Sequence, residues 1–204
     1  MHLVPTQAEV VGLLRQTGAL RDGHFEYPNG LHSNEYMQTV LAMRYYQIAK
    51  TLSVGLSRLL RANSEIRAII PELSIVCPDT GGSPLAYGVC EALRAHQVYW
   101  AERDGDNASM HFRQYLEQAP GEKVLIVDDI LRSGKKLSEL KTLLESKGAQ
   151  VVGLAVMVYQ PTPKTVNFDP LPFYSLAELD AMYYQDAASC DMCRKGVPIE
   201  KVWI

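Results

Sequence analysis

Hydrophobic positions along this chain follow two patterns. Residues 73–76, 98–102, 124–127 and 151–159 read as strands, and the unbroken apolar run at 124–127 has the composition of one buried on both faces of a parallel sheet. Between them lie stretches with apolar residues at helical spacing. Residues 6–17 carry Val10, Val11, Leu13 and Leu14, with Thr6 or Gln7 near the start and Gly18 able to cap the end. Residues 43–60 carry Ile48, Leu52, Leu56, Leu59 and Leu60, and residues 85–96 follow Pro84, a first-turn residue. Leu137, Leu140, Leu143 and Leu144 mark a helix after residue 136. Two short strands, 24–27 and 35–38, flank the turn signal Pro28-Asn29-Gly30, and residues 110–116 alternate weakly, as a hairpin arm would. Beyond Gln160, rich in Pro and aromatics, patterning returns only at residues 175–182. This order predicts an α/β protein with a parallel sheet and helices on both faces. The first strands and the tail are left to form a small cap over the sheet's carboxyl end.

The chemistry gathers where strands meet helices. Asp128 and Asp129 follow the apolar run 124–127, at the end of a strand where open α/β sheets bind ligands. The turn 130–136 contains Ser133 and Gly134 and opens the helix, whose free backbone N–H groups and dipole favour a phosphate. Two carboxylates beside a phosphate suit sugar hydroxyls or a magnesium ion. The plainer alternative is a βα unit whose acids cap the next helix. A second loop, Cys77-Pro78-Asp79-Thr80-Gly81-Gly82-Ser83-Pro84, also runs from a strand into a helix. Its glycine pair lets backbone amides approach an anion, or serves only a tight turn.

Composition narrows the class. The 204 residues are enough for one sizeable core, and 47% hydrophobic with 21% charged is ordinary for a globular protein. A net charge of −3 gives no electrostatic case for nucleic acid, and no apolar run reaches the ~20 residues that span a bilayer. Residues 1–16 do not read as a signal peptide, so the expected setting is the cytoplasm. Four cysteines in a chain this long are not a disulfide framework, and Cys77 and Cys90 read as buried packing residues.

The segment Val-Leu-Ile-Val-Asp-Asp-Ile-Leu-Arg-Ser-Gly at 124–134 resembles the phosphoribosyl pyrophosphate (PRPP) motif of type I phosphoribosyltransferases. It departs at Arg132, where that family usually has Thr, and at Lys135 and Lys136, where it has small or hydroxylated residues. Residues 18–38, with Gly23-His24-Phe25, Gly30-Leu31-His32-Ser33 and Tyr36, resemble the amino-terminal segment of orotate phosphoribosyltransferases. Residues 100–105 and 110–113 resemble a branch of that family whose closing arm carries two arginines and a glycine. Arg113 keeps the first arginine; Gln114 and Tyr115 replace the rest. The tail from Cys190 to Ile199 is similar to the end of some of these enzymes. Cys190 and Cys193 are half of a zinc site, which a second tail across a dimer would complete and His111 or His96 would join, but a surface turn with free thiols is the favoured reading.

The resemblance implies a type I phosphoribosyltransferase fold: one domain over residues 1–204, a central, mainly parallel sheet flanked by helices, and a hood from about 18–40 plus part of the carboxyl-terminal segment. It implies transfer of a phosphoribosyl group from PRPP to orotate, giving orotidine monophosphate and pyrophosphate, by a homodimer. Asp128 and Asp129 would hold the ribose hydroxyls and stabilise positive charge. Arg132, Ser133, Gly134, Lys135 and Lys136 would bind the 5′-phosphate. Thr80, Gly81 and Gly82, with Arg103 and Arg113, would bind pyrophosphate. Arg21 and Phe25 would position the base, one pairing its carboxylate and the other stacking on the ring. Magnesium would be held mainly by PRPP and water, with no protein ligand assigned and Asp128 the one candidate. Two alternatives stand beside this: a phosphoribosyltransferase for another base, and a regulatory protein that binds PRPP or a nucleotide with weakened catalysis.

Overall fold

The computed structural model describes residues 4–79, 81–105, 108–113, 116 and 118–202. Helix α1 (Gln7–Gln16) starts at a capping box: the Thr6 hydroxyl accepts from the Glu9 amide at 3.3 Å, and the Glu9 carboxylate accepts from the Thr6 amide at 2.7 Å. The hairpin β1 (Leu20–Glu26) and β2 (His32–Met37) is longer than the two short runs predicted, and turns at Gly30 with φ 79°. The single helix expected over 43–60 is two, α2 (Val40–Met43) and α3 (Tyr46–Ala62). The break falls at Tyr45, which takes extended backbone; Tyr45 and Tyr46 both face solvent, so no core contact holds the helix through them. Asn63 then caps α4 (Ser64–Ile69), accepting from the Glu65 amide at 2.8 Å and the Ile66 amide at 3.1 Å.

The α/β body follows: β3 (Ser74–Pro78), α5 (Ser83–Leu93), β4 (Gln97–Ala101), β5 (Lys123–Leu131), α6 (Lys135–Ser146), β6 (Gln150–Tyr159) and β7 (Phe173–Glu178). Its five strands lie in the order β4-β3-β5-β6-β7, and every pairing is parallel. Strand β5 shows why its sequence is apolar on both sides. Leu125 and Val127 pack into the core shared with α1, α3 and α5, while Val124 and Ile126 pack against Leu137, Leu140 and Leu144 of α6. Strand β5 also outruns the apolar stretch. Its pairing with β6 continues through Asp128↔Val156 to Leu131↔Tyr159, so the acids sit inside the strand and the turn shrinks to residues 132–134. The first half of the stretch 175–182 falls on the edge strand β7.

The remaining elements are β8 (Tyr183–Tyr184), α7 (Asp191–Arg194) and β9 (Glu200–Lys201). With the hairpin they form a second sheet in the order β8-β2-β1-β9. This hood is tied to the body because Leu20 and Met37, at the mouth of the hairpin, belong to the main core. The expected arm over 110–116 reduces, among the described residues, to one antiparallel bridge between Glu102 and His111; Gln114 and Tyr115 lie outside them. The tail corrects the sequence reading as well. Cys190 is fully buried rather than on a surface turn, and the histidines beside it are His24 and His32, not His96 or His111.

Candidate active site

Parallel register places the two phosphate-loop candidates side by side. Val76 of β3 pairs with Ile126 of β5, so both strands deliver their next residues to the same end of the sheet. The loop after β3 presses onto the acids. A Cβ on Gly81 would stand 3.0 Å from the Asp129 carboxylate, and one on Gly82 would stand 2.6 Å from Asp128 Oδ1 and 3.2 Å from Asp128 Cα. Gly82 has φ −75°, ordinary helical backbone. It is required there for closeness, not for conformation. Thr80 lies outside the described residues.

The two carboxylates differ. Asp128 is buried, and Asp128 Oδ1 accepts from the Asp129 amide at 2.9 Å. Burial first, and the neighbouring Asp129 charge second, push its carboxyl well above the usual range. Asp129 is held from two sides: one oxygen accepts from the Ile130 amide at 2.9 Å, the other from the Thr39 hydroxyl. Thr39 is buried and stands between hairpin and α2, so the hood reaches into the site. Asp79 stands in the same cleft, its carboxyl raised by desolvation and by Glu102 and eased down by Lys136 and Arg113.

The turn before α6 is braced from behind. Gly134 has φ 74°, and a side chain there would meet Phe168 at 3.0 Å and Val166 at 3.2 Å. The Val166 amide donates to the Ser133 carbonyl at 3.0 Å. The helix then begins at Lys135, and residues 135–137 of its first turn, where amides lack intrahelical partners, line the cleft. The cleft, of about 450 Å³, is lined by Asp79, Gly81, Asp128, Asp129 and residues 130–137 below, and by Tyr27, Tyr36 and residues 37–40 of the hood above. Roomier hollows beside Arg113 and between α1 and α3 hold neither the acid pair nor a glycine loop.

The other predicted side chains are committed to partners within the protein. Arg132 lines the cleft but turns toward the hood: its Nε donates to Gln160 Oε1 at 2.9 Å and one terminal nitrogen donates to the Met37 carbonyl at 3.4 Å. Gln160 is buried, donates to Glu35 at 3.2 Å and accepts from the Tyr183 hydroxyl at 2.9 Å. Arg103 is engaged by Glu139 of α6 and donates to the Ala108 carbonyl at 2.6 Å; Arg113 is paired with Glu102. Neither lines the cleft. Arg21 bonds Glu200 of β9 at 2.9 Å and lies over the rings of Phe25 and Tyr36, at 5.2 Å and 5.0 Å. Phe25 is buried in a small hood core with Tyr27 and Val202. Of that aromatic cluster, Tyr27 and Tyr36 reach the cleft. The sequence reading missed Thr39, Tyr27 and Gln160. Gln160 did carry a signal: it is the first polar residue after a continuous apolar strand, at the end where ligands bind.

An all-parallel sheet thus brings two glycine-bearing turns and paired carboxylates together at one strand end, under a hood. The family model described as "Phosphoribosyl transferase domain" matches residues 49–167, and the chain belongs to that family. Among its relatives, orotate phosphoribosyltransferase of Carboxydothermus hydrogenoformans is 34% identical over 189 residues, covering 93% of both chains. That of Thermotoga maritima is 33% identical over 189 residues, covering 93% of this chain and 94% of the other. The fold is shared with Mycobacterium tuberculosis orotate phosphoribosyltransferase in complex with inorganic phosphate. That likeness has a TM-score of 0.63 at 20% identity, over 85% of this chain and 95% of that one. Among the described residues no helix is long and apolar enough to cross a membrane.

Proposed function

We propose that this phosphoribosyltransferase joins PRPP to orotate, yielding orotidine monophosphate and pyrophosphate. The observation that carries the reading is the contact between the Gly81–Gly82 backbone and the Asp128 and Asp129 carboxylates. One ligand with a diphosphate on one side and ribose hydroxyls on the other fills that junction. The amides at the start of α6, with Lys135 and Lys136, hold the 5′-phosphate, and the Gly81–Gly82 amides hold the diphosphate. Asp128 and Asp129 accept from the ribose hydroxyls, and their charge stabilises the cation that grows at C1 as its bond to the diphosphate lengthens. A nitrogen of the base supplies the electron pair to C1, and the bonding pair leaves with the diphosphate oxygen. Arg132, steered to the hood by Gln160, pairs the carboxylate of orotate, beside Tyr27 and Tyr36.

The cleft suits magnesium. Its acidic groups offer oxygen donors, and no His or Cys is among its described lining. When bound with PRPP, the ion offsets charge on the diphosphate. Arg103 and Arg113 are engaged by Glu139 and Glu102, and those pairs have to part before either guanidinium meets the departing diphosphate. The same engagement favours a second reading, a PRPP-binding regulatory protein with weak turnover. A cytoplasmic homodimer completes the proposal, with sedimentation as its check.

The test is loss of orotate absorbance with PRPP and magnesium, run beside calorimetry of PRPP binding. Turnover dependent on both substrates is expected. PRPP binding without orotate consumption overturns the proposal in favour of the regulatory reading, and turnover of a different base overturns the choice of orotate.

A further inference from the structure

Outside the cleft, four metal-binding side chains converge under the hood. His24 and His32 come from β1 and β2, and Cys190 and Cys193 from the tail around α7. Their ligand atoms all lie within 4.8 Å of one another. His24 Nε2 stands 3.1 Å from His32 Nδ1, 3.4 Å from Cys190 Sγ and 3.6 Å from Cys193 Sγ; His32 Nδ1 stands 3.4 Å from Cys193 Sγ. A tetrahedral zinc with ordinary bond lengths has edges of about 3.3 Å between nitrogens and about 3.6 Å between nitrogen and sulfur. These four edges therefore already match those of a filled site.

Local structure aims each donor. A bulge between Asp22 and Phe25 shifts the register of β1, so that His24 and Phe25 are both buried although adjacent. His24 Nδ1 lies 2.9 Å from the Val197 carbonyl. A carbonyl only accepts, so Nδ1 carries the hydrogen and Nε2 turns its lone pair to the cluster, as second-sphere contacts fix metal-binding histidines. The two cysteines are spaced Cys-x-x-Cys, with α7 between them and a left-handed Gly196 (φ 67°) returning the chain after them. His24, His32 and Cys190 are buried, and neither cysteine is in a disulfide.

We infer that His24, His32, Cys190 and Cys193 bind one structural zinc ion that fastens the tail to the hood. Two thiolates and two neutral imidazoles select zinc over hard cations, and their charge cancels that of the ion, so burial of the filled site costs little. Four protein donors leave no open position, which excludes a catalytic role for the metal. What it secures is next to the cleft: beyond the cysteines the tail becomes β9, which pairs with β1 and brings Glu200 to Arg21. The inference does not rest on the identity of the transferred group.

The test is made on the untagged full chain, purified in zinc-supplemented buffer without chelator. Elemental analysis is expected to find about one zinc per chain, and exchange with cobalt to give a thiolate charge-transfer band with intense tetrahedral visible bands. Both readouts need no variant, so misfolding cannot mask the result. Cys190→Ser/Cys193→Ser is expected to lose the metal and His111→Ala to keep it. Removing zinc with a chelator is expected to lower the melting temperature and to expose both thiols to titration. Less than about a tenth of a zinc per chain, or a cobalt spectrum without the thiolate band, overturns the inference, and does so even if orotate turns over normally.

Discussion

The contact between Gly82 and Asp128 can be tested by a single methyl group. In Gly82→Ala the new Cβ falls 2.6 Å from Asp128 Oδ1, where ordinary contact starts at 3.4 Å, an overlap of about 0.8 Å. The Asp128 backbone is only 3.2 Å away, so the carboxylate cannot withdraw without moving its strand. Overpacking of this kind costs about 1–3 kcal/mol. Against it stands a gain of about 0.4–1 kcal/mol, because alanine has less freedom to lose than glycine and φ −75° suits it. The control is Gly12→Ala in α1, exposed and with nothing within 4 Å of the added Cβ, which keeps the gain and lacks the clash. For a chain of this size each kcal/mol moves the melting temperature by about 2–4 °C, so Gly82→Ala should melt about 2–12 °C below Gly12→Ala. Shifting the carboxylate by most of an ångström should lower kcat by one to two orders of magnitude, since misplacement by about 1 Å can cost ~10²-fold. The measurements are thermal melts and orotate–PRPP turnover on both variants. Equal melting temperatures with undiminished kcat in Gly82→Ala would refute the proposed junction.

Three further outcomes follow from the geometry. Burial raises the Asp128 carboxyl, so between the ordinary carboxylate range and its raised value the unfolded chain has released a proton that the folded chain keeps. Stability of the unliganded parent should fall as pH rises through that window, while Asp128→Asn should not share this fall and should lose activity; parallel stability curves for the two from pH 4 to 8 would contradict it. Arg132→Ala should raise the KM for orotate about 10–100-fold through loss of a charge-assisted pair, with the KM for PRPP little changed. A rise confined to PRPP would return Arg132 to the phosphate. Arg113→Ala removes an ion pair whose arginine is half-exposed, so the melting temperature should barely move, whereas kcat should drop about 10²–10³-fold. Unchanged kcat would take Arg113 out of the reaction.

Much of this protein was legible before any coordinates, because the information was local. The run at residues 124–127 has to be a doubly buried strand, and helices must follow Gly82 and Gly134 for the leucine and valine stripes to reach that strand. A strand followed by acids, a glycine turn and a helix also states its chemistry, since free amides and carboxylates are fixed by chain order. Three things were decided by pairing over distance. Strand β6 extended β5 past its apolar run and so placed Asp128 and Asp129 inside the strand rather than beyond it. Thr39 and Gln160 became site residues only because hood and sheet close on one another, leaving each to hold a charged side chain from another segment. His24 and His32 met Cys190 and Cys193 across some 160 residues of chain, through one bulge and one short helix. Periodicity reports which face of an element is buried, but not which other element it is buried against; that requires the packed core.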